Sequence, residues 1–357
     1  MSGPVVIMAG GTGGHVFPGL AVADALRAES VPVTWLGAIG GMEEGLVQRQ
    51  QIAFDGIVVN RLRGKGMLRW LQAPLAVARS VLQAVRVLRN RQPRSVLALG
   101  GFAAGPGGLA AWLLRIPLVV HEQNRIPGLT NRVLMRLAGR RLCGLDGPFA
   151  QQVGATAVGN PVRQSILELP DPAQRGVASG ALRLLVLGGS QGARFLNQTV
   201  PEALALLPAS DRPQVLHQCG ANDLEQTRQA YQNAGVEAQC QEFIADMAAT
   251  YAHADLAICR SGALTVAELA AAGLGSLLVP FPYAVDDHQT ANAQWLVDHQ
   301  AARLMAEDGS GPQAMAEVLG TLLADPNKLR EMAQAARALA PVGAAEKVAQ
   351  ACLEVAR

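Results

Sequence analysis

Acidic residues are almost absent from one long stretch of this chain. Between Arg61 and Arg141 there are fifteen lysines and arginines and a single acid, Glu122. The formal net charge of the whole chain is only +2, so the other segments carry the compensating negative charge. A positive field confined to one region attracts nucleic acid, anionic lipid or a polyanionic substrate. Aromatic residues are also scarce, at 4%, and interleave little with the basic stretch, which argues against nucleic acid. The five cysteines (Cys143, Cys219, Cys240, Cys259, Cys352) form no CxxC pair and are expected to be buried, reduced thiols of a cytosolic protein. No secretory signal is expected at the start of the chain. The most apolar long run, Leu99 to Leu114, is broken by glycines and Pro106 and is too short to span a bilayer. The chain has no GxxxxGK[ST], no Asp-x-Asp and no cluster with metal-ligand spacing. Neither a P-loop nor a metal-dependent nucleotide-sugar site of the Asp-x-Asp kind is expected, and no metal or cofactor is required.

What the chain has is glycine in two informative places. Gly10-Gly11-Thr12-Gly13-Gly14-His15 follows the apolar run Val5 to Met8, and Gly188-Gly189-Ser190-Gln191-Gly192 follows Leu184 to Leu187. A helix-like stretch follows each. A strand, a glycine turn and a helix start aim backbone N–H groups and the positive helix end at one spot, which suits phosphate. Neither turn completes the dinucleotide fingerprint. Val16 stands where the third glycine of the first turn belongs, and the second strand ends in Val33-Thr34-Trp35-Leu36-Gly37, without an acid for a ribose diol. A nicotinamide or flavin enzyme is therefore not expected.

At 357 residues, half of them hydrophobic, the chain should form two domains with large cores. Strands alternate with helices through both halves. The pattern predicts an α/β protein of two Rossmann-like domains, each a doubly wound parallel sheet, with ligand sites at the C-terminal strand ends facing a central cleft. Expected elements include a helix near Ala73–Arg91, a helix over Gly128–Ala138 and five strands in the second half, the last over Ser276–Val279. Asn160-Pro161-Val162-Arg163 reads as the crossover.

Several clusters can carry chemistry. Arg260-Ser261-Gly262-Ala263-Leu264-Thr265 follows an expected strand, and Ser261 or Gly262 can cap the helix that comes next. Leu264 and Glu268 share a face of that helix. Its N-terminus can meet a diphosphate, Glu268 can accept both hydroxyls of a ribose, and Arg260 can face a base or a phosphate; an ordinary capped helix with a solvated Glu268 is the plainer alternative. Asp286-Asp287-His288-Gln289 suits sugar hydroxyls, with Asp287 also a possible helix cap. His15 sits where the positive end of a helix disfavours an imidazolium, so it can act as a base or simply cap the helix. His121-Glu122-Gln123-Asn124 ends another strand and should line the same cleft. Gly64-Lys65-Gly66-Met67-Leu68-Arg69-Trp70-Leu71 and Trp112-Leu113-Leu114-Arg115 mix basic and apolar residues, as an interfacial membrane contact would, or as an ordinary core face with solvated arginines would.

Taken together and in this order, the motifs resemble the MurG family of bacterial GT-B glycosyltransferases over essentially the whole chain. The match runs through Gly10 to Gly19, Gly100-Gly101-Phe102 to Gly108, His121 to Asn124, Gly159 to Arg163, Gly188 to Ala193 and Arg260 to Thr265. The resemblance implies inverting transfer of N-acetylglucosamine from UDP-N-acetylglucosamine to the C4 hydroxyl of lipid I, giving lipid II. It implies a first domain of residues 1–160 joined by a returning last helix (341–357), and a second of residues 161–340. It places uracil at Arg163 and the backbone of Ile244, and ribose at Glu268. The diphosphate falls to Ser190, Leu264 and Thr265, with Arg260, Ala263, Val266 and Ala267 around the donor, and the sugar to Asn124 and Gln289. Thr12, Gly13 and Gly14 fall at the donor–acceptor junction, and Gly11, Gly100 and Gly101 cradle the acceptor pyrophosphate. His15 is its candidate base. Lys65, Leu68, Arg69, Trp70, Leu71, Arg86 and Trp112 would touch an anionic cytoplasmic leaflet, with other cell-wall synthesis and division proteins as partners. A UDP-sugar epimerase on the same fold, needing no lipid acceptor, and a non-catalytic UDP-sugar sensor are the competing readings.

Overall fold

Continuous apolar strands bounded by glycine turns dictate sheets covered on both faces, and both halves of the chain fold that way. In this computed structural model the described residues are 3–59, 67–175, 181–189 and 192–356, with side chains described throughout except at 67–73 and 285. The chain divides into two compact units, Met1–Arg163 with Gly343–Arg357, and Gln164–Val342.

The first unit holds strands β1 (Val5–Ala9), β2 (Val33–Ala38), β3 (Ala53–Ile57), β4 (Ser95–Gly100), β5 (Leu118–Glu122), β6 (Arg140–Cys143) and β7 (Thr156–Ala157). They form one parallel sheet in the order β3-β2-β1-β4-β5-β6-β7. Alternate residues of β1 serve opposite faces: Val5, Ile7 and Ala9 pack on one side, Val6 and Met8 on the other. The side of Val5 is closed by the first helix, Gly13–Ala28, and by the last, Ala344–Glu354, which buries Val348, Ala349 and Cys352 there. Ser95 Oγ donates to the Cys352 carbonyl at 2.7 Å and ties the last helix to β4.

The second unit holds β8 (Arg183–Leu187), β9 (Gln214–Gln218), β10 (Ala238–Gln241), β11 (Leu256–Cys259), β12 (Ser276–Leu278) and β13 (Ala302–Leu304), parallel in the order β10-β9-β8-β11-β12-β13. Both sheets change winding direction beside their first strand. The switch points are β1/β4 and β8/β11, and ligands of doubly wound sheets bind outside the strand ends at such points. The first glycine turn follows β1 and Gly100-Gly101 closes β4. The second turn follows β8 and Arg260-Ser261-Gly262 follows β11. Topology therefore brings the singled-out motifs of each half to that half's own switch point.

Some elements differ from expectation. The helix expected near Ala73 begins at Met67 and runs to Arg91, with Pro74 inside it rather than at its first turn. The Gly128–Ala138 helix is shorter, Leu129–Leu134. A helix over Pro148–Val153 and strand β13 were not foreseen. At three residues, two of them exposed, β13 leaves no apolar run to read.

Under the second sheet lies a buried polar chain. Asn197 gives its amide nitrogen to the Cys219 carbonyl (3.1 Å), so its Oδ1 must accept from His217 Nε2 (3.1 Å), and His217 Nδ1 then accepts from the Tyr231 hydroxyl (2.9 Å). Burial holds this imidazole neutral, its pKa down to about 3, and burial likewise takes His121 to about 4. An unfolded histidine takes its proton near 6.5, whereas these two folded ones do not, so acid favours unfolding. The thermal midpoint should fall as pH drops from about 6.5 towards 4, and His217→Gln should flatten that slope while lowering stability at pH 7. A midpoint whose pH dependence is unchanged by His217→Gln contradicts the assignment.

Candidate functional site

At the first switch point two glycine turns lie against each other. Gly10 N–H donates to the Gly100 carbonyl (3.3 Å), and a side chain on Gly101 would overlap the Gly10 backbone. Thr12 caps the helix Gly13–Ala28 through its backbone, with no side-chain cap bond, and His15 stands in the first turn. The imidazole of His15 lies over Gly100, where a Cβ would come within 2.8 Å of its Nε2. Its Nδ1 is 3.2 Å from the Gly10 carbonyl and 3.3 Å from Thr12 Oγ1. A carbonyl can only accept, so this contact places the ring proton on Nδ1 and leaves Nε2 as the basic nitrogen of the neutral ring.

Sequence reasoning missed the group beneath this turn. Glu43, second residue of the helix Met42–Arg49, is 1% exposed, and its carboxylate accepts from Gly11 N–H (3.2 Å) and Ala38 N–H (3.0 Å). The only signal was an acid two residues past Gly40-Gly41, just inside a helix after β2. Gly11 and Gly101 were expected to help cradle a pyrophosphate. Instead the Gly11 N–H is given to Glu43 and Gly101 packs on Gly10, so this turn offers an anion less than its glycines suggest.

At the end of β5, His121, Glu122 and Gln123 are buried and do not line an open surface, contrary to expectation; only Asn124 of the four is half-exposed. The three hold their neighbours in place. Gln123 Nε2 donates to His121 Nδ1 (3.2 Å), so His121 Nε2 donates to the Gly159 carbonyl (2.9 Å), and Asn160 Nδ2 donates to the Gln123 carbonyl (3.0 Å). The crossover leading to Arg163 is thereby fastened to β5, and the Arg163 guanidinium lies over the Phe17 ring. Glu122 accepts from Asn124 N–H, Asn124 Nδ2 and Asn131 Nδ2 at 2.8–3.0 Å; burial pushes its carboxyl pKa up against the pull of those bonds.

In the second unit Gly262 caps the helix Ala263–Ala272, and Ser261 Oγ instead donates to the Gln289 carbonyl (2.8 Å). Leu264 and Thr265 are half-buried in the first turn, whose amides point out of the helix end. The side chain of Val266 is fully buried and its N–H closes the first turn on Gly262. Ala267 is buried too. Glu268 is 6% exposed, not solvated, and receives the Tyr251 hydroxyl on Oε2 (3.1 Å). Gln289 Oε1 accepts from Phe281 N–H (2.9 Å), which leaves its NH2 group as the donor end. Arg260 Nη1 donates to the Val279 and Pro280 carbonyls (3.1 Å each) and pairs with Glu307, so it braces the ends of β11 and β12. The Ile244 N–H is engaged by Gln218 Oε1 at 3.2 Å, so among its backbone groups the carbonyl is the one this bond leaves out. Asp287 forms no side-chain cap bond; it accepts from Thr290 Oγ1 (2.6 Å). Ser190 and Lys65 lie outside the described residues, as do the side chains of Leu68, Arg69, Trp70 and Leu71.

Two doubly wound units, each with a polar site at its own switch point, define a class of proteins built to bind nucleotide-type ligands at the strand ends. Comparison with known proteins carries this further. Residues 5–142 match the glycosyltransferase family 28 N-terminal domain and residues 183–352 the family 28 C-terminal domain. The chain belongs to glycosyltransferase family 28. A relative from Xanthomonas campestris, 58% identical over 99% of this chain and 82% of its own length, is named UDP-N-acetylglucosamine–N-acetylmuramyl-(pentapeptide) pyrophosphoryl-undecaprenol N-acetylglucosamine transferase. One from Nitrosococcus oceani with the same name is 56% identical over 99% of this chain and 98% of its own. The crystal structure of Acinetobacter baumannii MurG is 38% identical, with a TM-score of 0.84 over 99% of both chains. A UDP-GlcNAc 2-epimerase from Neisseria meningitidis, at 12% identity and a TM-score of 0.66, shares the fold alone.

The second glycine turn gives a test of how tightly these sites are built. Gly189 has φ +78° with open space around it, whereas a side chain on Gly192 (φ +76°) would overlap the Cys219 carbonyl. Gly189→Ala should cost about 1 kcal/mol of unfolding free energy and Gly192→Ala more than about 2 kcal/mol. Denaturant titration that finds the two equal would contradict the packing described.

Proposed function

We propose that the chain transfers N-acetylglucosamine from UDP-N-acetylglucosamine to the C4 hydroxyl of the N-acetylmuramyl-pentapeptide of lipid I, with inversion at the anomeric carbon, forming lipid II. The observation that carries this reading is the near-full-length identity, above half, to transferases named for that reaction. The sites supply the chemistry. Leu264 and Thr265 amides at a helix N-terminus face the donor diphosphate and stabilise the charge that grows on UDP as it leaves. Glu268, one oxygen held by Tyr251, takes the ribose, and the NH2 of Gln289 takes a sugar hydroxyl. Asn124, kept in place by Glu122, also belongs to the sugar, Arg163 to the base, and Thr12, Gly13 and Gly14 to the acceptor side. His15 Nε2 takes the acceptor proton. Because amide dipoles and cationic side chains supply the electrostatics, neither a metal nor another cofactor is part of the proposal.

The same proposal includes peripheral attachment to the anionic cytoplasmic face of the membrane. Leu75, Arg79, Leu82, Arg86 and Arg89 recur at i, i+4, i+7, i+11 and i+14 along the helix Met67–Arg91, all exposed, on one stripe. Trp112 and Leu113 are about half exposed on the helix Ala104–Leu113 that packs against it. Apolar side chains alternating with arginines are what an interfacial helix presents to anionic lipid. No helix among the described residues is long and apolar enough to cross a membrane.

With EDTA present, labelled N-acetylglucosamine should pass from UDP to a short-chain lipid I analogue. Binding of the donor without product would move the assignment to an epimerase. Glu268→Ala should raise the donor KM at least about tenfold, since a buried charge-assisted contact is lost; an unchanged KM removes the ribose assignment. Charge reversal at both Arg79 and Arg86 should weaken binding to phosphatidylserine vesicles at least about tenfold, and added salt should do the same. Binding indifferent to both would rule out electrostatic attachment.

A further inference from the structure

The peptide group between Gly10 and Gly11 is held at both ends by ionisable side chains. Its N–H donates to Glu43 Oε2 (3.2 Å), and its C=O accepts from His15 Nδ1 (3.2 Å). We propose that Glu43 is a positioning residue for the imidazole of His15, acting through the Gly10–Gly11 peptide group. The inference rests on reading His15 as the proton acceptor.

The local build favours this single arrangement. The second Glu43 oxygen is fixed by Ala38 N–H (3.0 Å) at the end of β2, beside the β1 end that leads into the turn. Both oxygens accept N–H groups, as a carboxylate does, and the group lies in the first turn of Met42–Arg49, where the helix end favours negative charge. Three glycines make room for it. A Cβ at Gly10 would overlap its Oε1, one at Gly41 would come within 2.5 Å of its carboxyl, and one at Gly37 within 3.0 Å of its Cγ. Gly100 makes room in the same way for the His15 ring. The carboxylate polarises the peptide, which strengthens its carbonyl as an acceptor, because hydrogen bonds in a chain reinforce one another. A stronger Nδ1–H···O=C bond holds the ring in the tautomer with Nε2 unprotonated. When the acceptor oxygen bonds to the anomeric carbon, UDP leaves with the electrons of the broken C–O bond and the hydroxyl proton goes to Nε2. The resulting imidazolium then faces a carbonyl backed by a fixed negative charge. A carboxylate acting on a histidine directly is a common device; here one backbone peptide stands between the two.

The test is a double-mutant cycle on the full chain, read as kcat for transfer to a lipid I analogue. His15→Ala should lower kcat at least about 100-fold. Glu43→Gln should lower it about tenfold in the wild-type background, in the range for groups that orient an imidazole, with the donor KM unchanged, and should have no effect once His15 is alanine. If Glu43→Gln lowers kcat by the same factor in both backgrounds, or in neither, Glu43 is only a scaffold for the turn and the proposal is overturned. If His15→Ala leaves kcat intact, the base assignment itself fails. A second measurement needs no variant at position 43. Nitrogen-15 shifts of the imidazole, assigned by comparison with His15→Ala, should show Nδ1 protonated and Nε2 unprotonated in the wild type; the opposite tautomer overturns the proposal even if Glu43→Gln does not fold.

Discussion

The contact on which the first unit's chemistry depends is backbone against backbone. β1 and β4 are neighbours across the switch point, so the turns that end them must share one small space. They can share it only because Gly101 brings no side chain to the Gly10 backbone and Gly100 brings none to His15. Their closeness has consequences outward. It sets Gly10 O within reach of the His15 ring, and it leaves the Gly11 N–H facing Glu43 rather than solvent. A substituent that forced the turns apart would move the imidazole, the peptide and the carboxylate together.

The two units reuse one topology for opposite electrostatic ends. Beneath the first turn, a buried carboxylate consumes an N–H that a phosphate would need. The acceptor hydroxyl proposed to lie beside His15 is neutral and would lose nothing by this. In the second unit, the helix Ala263–Ala272 has no acid in its first turn, while Arg175 and Arg337 cover its last carbonyls, those of Ala271, Ala272 and Gly273. Its N-terminus remains a place for anions, and Glu268 one turn in is buried and bonded to the Tyr251 hydroxyl.

How much of this was legible depended on how local each signal was. Two parallel sheets, family membership and the glycine turns could be read because strand periodicity and turn residues act within a few positions of one another. The positions of Leu264, Thr265 and Glu268 on one helix N-terminus were legible for the same reason. Glu43 was not, since the turn it supports lies 32 residues away in sequence and only the neighbouring of β1 and β2 joins them. The burial of His121 to Gln123 was hidden differently. Polar residues at a strand end read as surface, and nothing local shows that Gly159, Asn131 and Asn160 will supply their hydrogen bonds. Val266 and Ala267 fell among the donor contacts through likeness alone, and helix geometry turns both inward.

The lone acid of the basic stretch sharpens the case for an anionic partner. Glu122 is 2% exposed and enclosed by Asn124 and Asn131. Between Arg61 and Arg141, then, no acid reaches the surface among the described residues. Of the arginines, Arg91 is drawn off by Asp55 at 2.8 Å and Arg140 by Glu354 at 3.6 Å, whereas Arg79, Arg86, Arg89 and Arg115 stand exposed, as do Leu82 and Trp112. A surface ion pair would have neutralised part of this face at little gain in stability. With no ion pair on Arg79, Arg86, Arg89 or Arg115 among the described residues, mutual repulsion destabilises the folded chain slightly, and contact with an anionic, partly apolar surface would offset it. The proposed acceptor, a lipid-linked pyrophosphate in an anionic leaflet, would present such a surface.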